Sequence, residues 1–302
     1  MSVSASMVRD LREKTSAGML DCKKALEETN GNFEAAVEWL RKKGLSAAAK
    51  KADRLASEGV VVAKVEGKTA ALLEVNSETD FVAKNDDFKI FVAEAVHTVV
   101  TKNPADVNAL LLAPTKAGQT VGEVLKEKIA KIGENLVIRR FVRYQTSGLV
   151  HSYIHGDGKI GVLVELSSTS GNEAVRTFAN DVCLHVAAMN PLALSPDQVP
   201  VEVVAKEKEI LKAKAIEQGK KPEMLDKIVG GQINKFLAES CLLEQAFVKN
   251  PDMKVKDYLA ETQKKAGETF TLVRFVRFEL GEGLQKRSTD FAAEVAAQAK
   301  GH

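Results

Sequence analysis

The sequence lacks most of what would mark a secreted protein, a membrane protein or an enzyme. Its 302 residues hold three cysteines, Cys22, Cys183 and Cys241, scattered and in no CxxC pair. An odd, unpaired set excludes a disulfide framework or a zinc ribbon and suits a reducing compartment. No apolar run reaches the ~20 residues needed to cross a bilayer. The first residues do not read as a signal peptide and are acidic enough to disfavour a transit peptide. Excess charge is missing too: 43 Lys and Arg against 41 Asp and Glu leave a net of +2, too little to argue for a nucleic-acid or membrane partner. With 45% hydrophobic and 28% charged residues, the composition predicts a soluble, cytoplasmic protein of two or more domains.

Chemistry-bearing motifs are equally scarce. There is no GxxxxGK[ST], HExxH or GxSxG. "GDGKIG" (156–161) spells G-x-G-x-x-G, but a dinucleotide fingerprint needs a helix after it, and the apolar run "IGVLVEL" reads as a strand. This stretch is therefore expected to be a turn. Of the five histidines, His151 and His155 share a strand face at i, i+4, a weak metal pair without a nearby third ligand. His97 and His185 lie in apolar helical patterns and are expected to be packed or hydrogen-bonded. No nucleophile, base and orienter assemble from what remains. The expectation is a protein that acts by binding, with no cofactor and no metal.

What is present begins with three short helical patterns in residues 1–45. Val8 and Leu11 share one face, Met19, Cys22 and Leu26 the next, and Phe33, Ala36, Val37 and Leu40 the third, with Gly44 as the expected stop. Residues 46–58, rich in Ala and Lys, read as a helical linker. The first 54 residues carry eleven basic and eight acidic side chains, an excess of +3 that reads as a solvated helix face. Beyond Gly59 the pattern changes to a hairpin around Gly67-Lys68, a helix from the N-cap Asn85, a Pro-containing loop, then a helix and a strand.

That unit is repeated. "TVGEVLKEKIAKIGENLVIRRFVRY" (120–144) aligns without gaps to "KVKDYLAETQKKAGETFTLVRFVRF" (254–278), and "GVVVAKVEGKTAALLEV" matches "GLVHSYIHGDGKIGVLVEL" more weakly. The predicted fold is α+β: a three-helix module, then a core of two hairpin–helix–helix–strand copies over 59–147 and 148–280. The second copy contains a helical hairpin at about 200–240 with Pro222 at N1. A C-terminal segment, 281–302, holds a short helix through Phe291 and Val295, too short to be stable undocked.

One stretch stands out, "NSETDFVAKNDDF" (76–88). Phe81 lies seven residues before Phe88 and would extend the same helix face, yet Lys84 and Asn85 interrupt that stripe. Two readings are open. Thr79 and Asp80 cap a helix and Phe81 makes an ordinary core contact, or Phe81 protrudes beside a carboxylate as a wedge that fills a partner's pocket.

The motifs "SAGMLDCKKALEETNGNFEAAVEWLRKKG", "LEVNSETDFVAKNDDF", "KIGENLVIRRF", "YIHGDGKIGVLVEL" and "STDFAAEVAAQ" together resemble the bacterial elongation factor Ts family, from about Val8 to Gln298. The resemblance implies a UBA-like first module and a guanine-nucleotide exchange factor for elongation factor Tu, in a 1:1 or 2:2 complex. It involves no nucleotide, nucleic-acid or membrane binding of its own. It implies that Thr79, Asp80, Phe81 and Val82 act in dislodging magnesium from the partner's nucleotide site. Leu11, Met19, Leu20, Cys22, His155, Gly156, Phe291 and Val295 would then belong to docking surfaces. The competing reading is an RNA- or ribosome-binding protein that uses the basic N-terminal module.

Overall fold

The computed structural model describes residues 3–15 and 17–285. Three helices come first: α1 (Ala5–Thr15), α2 (Met19–Glu28) and α3 (Phe33–Ala49). Val8, Leu11, Cys22, Ala25, Leu26 and Ala36 form their small core, and the Asn32 side chain caps α3 by accepting the Ala35 N–H. Gly44 does not end α3, contrary to expectation. A Cβ at Gly44 would lie 3.5 Å from Ala130 Cβ, so the glycine sits where α3 crosses a later helix. Packing there outweighs the ~1 kcal/mol propensity cost of glycine. Nor is 46–58 helical throughout, since helix stops at Ala49 and turns follow.

The first core half contains β1 (Glu58–Glu66), β2 (Thr69–Ser77), the one-turn helix α4 (Asp80–Ala83), α5 (Asp86–Lys102), α6 (Val107–Leu112), α7 (Val121–Ile132) and β3 (Leu136–Gln145). The second contains β4 (Leu149–His155), β5 (Ile160–Leu166), α8 (Glu173–Met189), the long pair α9 (Val201–Glu217) and α10 (Pro222–Ser240), β6 (Ala246–Phe247), β7 (Asn250–Lys254), α11 (Val255–Ala266) and β8 (Leu272–Glu279). Each half forms an antiparallel sheet, ordered β1-β2-β3 and β4-β5-β8, and β6-β7 make a small separate ribbon. Among the described residues no helix is long and apolar enough to cross a membrane.

Period-2 alternation explains why β2 and β5 are apolar almost throughout. Leu73 and Val75 of β2 pack towards α5 and α7, while Ala70 and Leu72 face the other sheet. Val162 and Val164 of β5 pack towards α8 and α11, while Leu163 meets the first sheet. The layers run helices, sheet, sheet, helices. Gly161 permits the close approach, since a Cβ there would come within 2.6 Å of both Leu72 and Val61.

The duplication extends to polar detail. Glu74 pairs with Arg140 at 2.6 Å, and the corresponding Glu165 pairs with Arg274 at 2.5 Å. Each strand has its register shift right after that glutamate. The two arginines then cross the interface. Arg140 stacks over Phe278 of the second half at 4.2 Å, and Arg274 over Tyr144 of the first at 4.0 Å.

The helical hairpin grows out of a paired base. The Leu192 N–H donates to the Ser240 carbonyl at 2.8 Å, and the Leu242 N–H donates to that of Ala193 at 2.9 Å. Pro222 occupies the first turn of α10 as expected.

Candidate functional site

β2 delivers the chain to the 76–88 stretch. The Ser77 hydroxyl donates to the Thr79 carbonyl at 2.8 Å. Thr79 stands at the N-cap position of α4 but makes no capping bond with its side chain. Its N–H and its hydroxyl instead donate to the two carboxylate oxygens of Glu134, at 3.0 and 2.7 Å. Capping by Thr79 is thus replaced by a long-range clamp.

α4 is a single turn. Val82 points inwards and joins the first-half core at 5% exposure, whereas Phe81, one position earlier, is 77% exposed. Phe81 does not extend the face of α5. Lys84 and Asn85 break the chain between the two helices, and Asn85 restarts it by accepting the Phe88 N–H at 3.2 Å. The ordinary core contact is therefore not what Phe81 makes. Asp80 is exposed beside it.

The repeat shows how this turn arose. Thr79 corresponds to Ser170 at an offset of 91, while the N-caps Asn85 and Asn172 correspond at 87. The left-handed C-caps Asn103 and Asn190 keep the offset of 87. The first half carries four more residues between strand and helix, where the second passes through Gly171 alone. The exposed aromatic belongs to the segment that breaks the internal symmetry.

Part of the other expected surface shares a cleft with this turn. An open cleft of about 1180 Å³ is lined by Asp80, Phe81 and Lys84, by Val60 and Val62, and by Gly156. "GDGKIG" is the β4–β5 turn, with Gly156, Asp157 and Gly158 at φ of 60°, 54° and 92°. The Gly158 carbonyl accepts the Val61 N–H at 2.7 Å, which fastens the turn to β1. His155 is exposed, with Nδ1 2.9 Å from the Tyr153 hydroxyl.

The N-terminal residues divide differently from the expectation. Met19 and Leu20 are 54% and 82% exposed at the start of α2, but Leu11 and Cys22 are fully buried. Leu11 and Cys22 therefore cannot touch a partner; they hold the module together beneath Met19 and Leu20. Phe291 and Val295 lie outside the described residues. Several basic residues of this region are paired with acids, Arg41 with Glu123, Lys42 with Glu38, Lys43 with Asp21 and Arg54 with Glu78, which makes its surface mixed in charge.

The remaining candidates are structural. His185 is buried, with Nε2 2.9 Å from Gln245 Oε1, and Nδ1 accepts the Val248 N–H at 3.1 Å. His97 lies 3.0 Å from Glu66. His151 reaches only Asn180, at 3.4 Å. Among the described residues no cluster of three or more His, Cys, Asp or Glu is placed to hold a metal ion. Sequence reasoning missed Glu134, 55 residues from the threonine it clamps. Its signal was available in the "GE" pair at 133–134, which recurs at 267–268.

Comparison with known proteins gives a consistent answer. A family model described as elongation factor TS matches residues 78–282. The chain is 57% identical to elongation factor Ts of Bdellovibrio bacteriovorus over 309 aligned residues, covering 100% of both chains. It is 54% identical to that of Syntrophotalea carbinolica over 303 residues, and 50% to that of Clostridioides difficile over 301, with 99% or more of each chain covered.

Proposed function

The chain belongs to the elongation factor Ts family, whose members are nucleotide exchange factors for elongation factor Tu, and from that premise we propose how it drives exchange. It binds the GDP-bound partner and inserts Phe81 between elements of the nucleotide-binding domain. Asp80 enters beside it and disturbs the magnesium and phosphate site. Val82 acts from beneath by anchoring the turn. Met19 and Leu20 on α2, the His155-Gly156 turn, and the segment with Phe291 and Val295 provide the docking contacts.

The observation that carries this reading is the 77% exposure of Phe81 on a turn anchored by Val82. A large aromatic held in water by a fixed backbone is poised to gain about 2 kcal/mol or more when a pocket takes it up.

The work is linkage. A factor that binds the nucleotide-free partner more tightly than the GDP-bound one weakens GDP by the same factor. Magnesium is the largest local cation holding the phosphates, so its displacement removes much of the grip. A differential of about 3–4 kcal/mol speeds release ~10² to 10³-fold when it appears fully in the release barrier.

The test is stopped-flow release of a fluorescent GDP from elongation factor Tu in excess magnesium, with and without the chain. Strong acceleration that is lost in the Asp80→Ala/Phe81→Ala variant is the expected result. No acceleration by the unmodified chain, or full acceleration by the variant, would refute the proposal.

A further inference from the structure

We propose that Glu134 is the positioning residue of the Phe81 wedge, an inference that rests on the wedge reading and deepens it. Glu134 follows Gly133, whose left-handed φ of 88° closes α7. Both of its carboxylate oxygens are spent on one residue. Oε2 accepts the Thr79 N–H at 3.0 Å and Oε1 accepts the Thr79 hydroxyl at 2.7 Å.

The latch is reciprocal. The next amide, that of Asn135, donates to Glu78 Oε1 at 2.7 Å, so each chain segment supplies a carboxylate to a backbone N–H of the other. The Asn135 side chain then donates to the carbonyls of Ala52 and Arg54 at 3.3 and 2.8 Å, tying in the chain that arrives from the N-terminal module.

This matters because α4 has four residues, and one turn does not hold its shape unaided. Val82 fixes it from beneath and Thr79 from behind. With Thr79 held at two points, the direction of Asp80 and Phe81 is set before a partner arrives. Without the clamp the turn samples other orientations, and only the fraction already poised engages productively.

The duplicated fold contains its own control. Glu268 corresponds to Glu134 and likewise follows a left-handed glycine, Gly267 at φ 69°. It too faces the strand-to-helix connection, accepting from the hydroxyls of Ser168, at 2.8 Å, and Ser170. There, however, no inserted turn follows and only one carboxylate oxygen is used. The same glutamate thus occurs once with a wedge and once without.

The experiment is GDP release from elongation factor Tu by the full chain, with thermal unfolding measured on each variant. Glu134→Gln, which leaves one acceptor for the two Thr79 donors, and Thr79→Val, which leaves only the backbone N–H, weaken the clamp from opposite sides and are each expected to slow release about tenfold. Glu134→Gln added to Phe81→Ala is expected to leave the residual rate of Phe81→Ala unchanged, and Glu268→Gln to keep the full rate. Should Glu134→Gln unfold the protein, Thr79→Val carries the same comparison. Full-rate release by Glu134→Gln and Thr79→Val, while Phe81→Ala is slow, would overturn the positioning role and leave the wedge standing. An equal further loss in the Phe81→Ala background, or an equal loss from Glu268→Gln, would reduce Glu134 to a structural residue. Full-rate release by Phe81→Ala would overturn the wedge and this inference together.

Discussion

Glu74→Gln should destabilise the protein far more than Glu165→Gln, although the two glutamates occupy equivalent positions in the repeat. The Glu74 carboxylate has no exposed surface and receives Arg139 at 2.9 Å, Arg140 at 2.6 Å and the Gly281 N–H at 2.9 Å. Removing one partner of a buried pair costs about 3–5 kcal/mol. The arginines keep 22% and 29% of their side-chain exposure, and solvent lowers the expected loss to about 2–3 kcal/mol. Glu165 has a single ion pair, to an Arg274 that is 47% exposed, so its loss is set at about 1 kcal/mol. At about 2–4 °C per kcal/mol for a chain of this size, the thermal midpoints fall by about 4–12 °C and about 2–4 °C.

The pH dependence has a definite sign. Burial works to raise the Glu74 pKa, but the Gly281 amide and the two guanidiniums outweigh it and hold the carboxyl below its ordinary 4.5. A depressed folded pKa gives stability that is present above the unfolded value and lost as pH falls through the folded one. The gap between the unmodified protein and Glu74→Gln is therefore full at neutral pH and narrows below about pH 4.5. Thermal unfolding from pH 7 to 3 measures it. Equal costs at the two positions, or a gap that stays constant to pH 3, would refute the assignment of Glu74 as the charged hub between the halves.

Three further outcomes follow from the packing. Gly161→Ala forces a Cβ to within 2.6 Å of Leu72 and Val61 between the sheets, with an expected loss of about 1–3 kcal/mol read from chemical unfolding. Burial lowers the His185 pKa below 6.5, against the Gln245 contact, which raises it. In an NMR titration His185 should protonate only below the ordinary 6.5 as pH falls, and its contribution to stability is lost as pH drops from about 6.5 through the folded value. Cys22, Cys183 and Cys241 are all fully buried, so the native protein should react with a thiol reagent only at the rate at which it opens, and rapid labelling of any one would contradict that burial.

Legibility in the sequence followed the length and periodicity of each signal. The duplicated core was readable because hairpin, helix and strand patterns recur together; Asn85 caps as its spacing implies, and the structure adds Asn172 as its counterpart. The insert was readable because Pro222 punctuates two long helices. By contrast, α6 and the β6-β7 ribbon are too short to show a period. The length of α3 depends on its crossing with α7, which no local window contains. At the site, helical spacing placed Leu11 and Cys22 on inward faces yet could not separate a core side chain from a docking one. Only burial did so. Glu134 was marked by the recurring Gly-Glu pair, but its contact with Thr79 was not legible, since that partner is distant in sequence and near only once α7 has folded back.

The central claim is that Phe81 is held in water for use rather than for stability. One variant, Phe81→Ala, tests it when thermal unfolding and GDP release from elongation factor Tu are measured on the same sample. The side chain is 77% exposed, so its removal should change stability by no more than about 0.5 kcal/mol. Release should slow about 10²-fold. Full exchange activity with unchanged stability would contradict the wedge, and so would a loss of exchange accompanied by a matching loss of the fold.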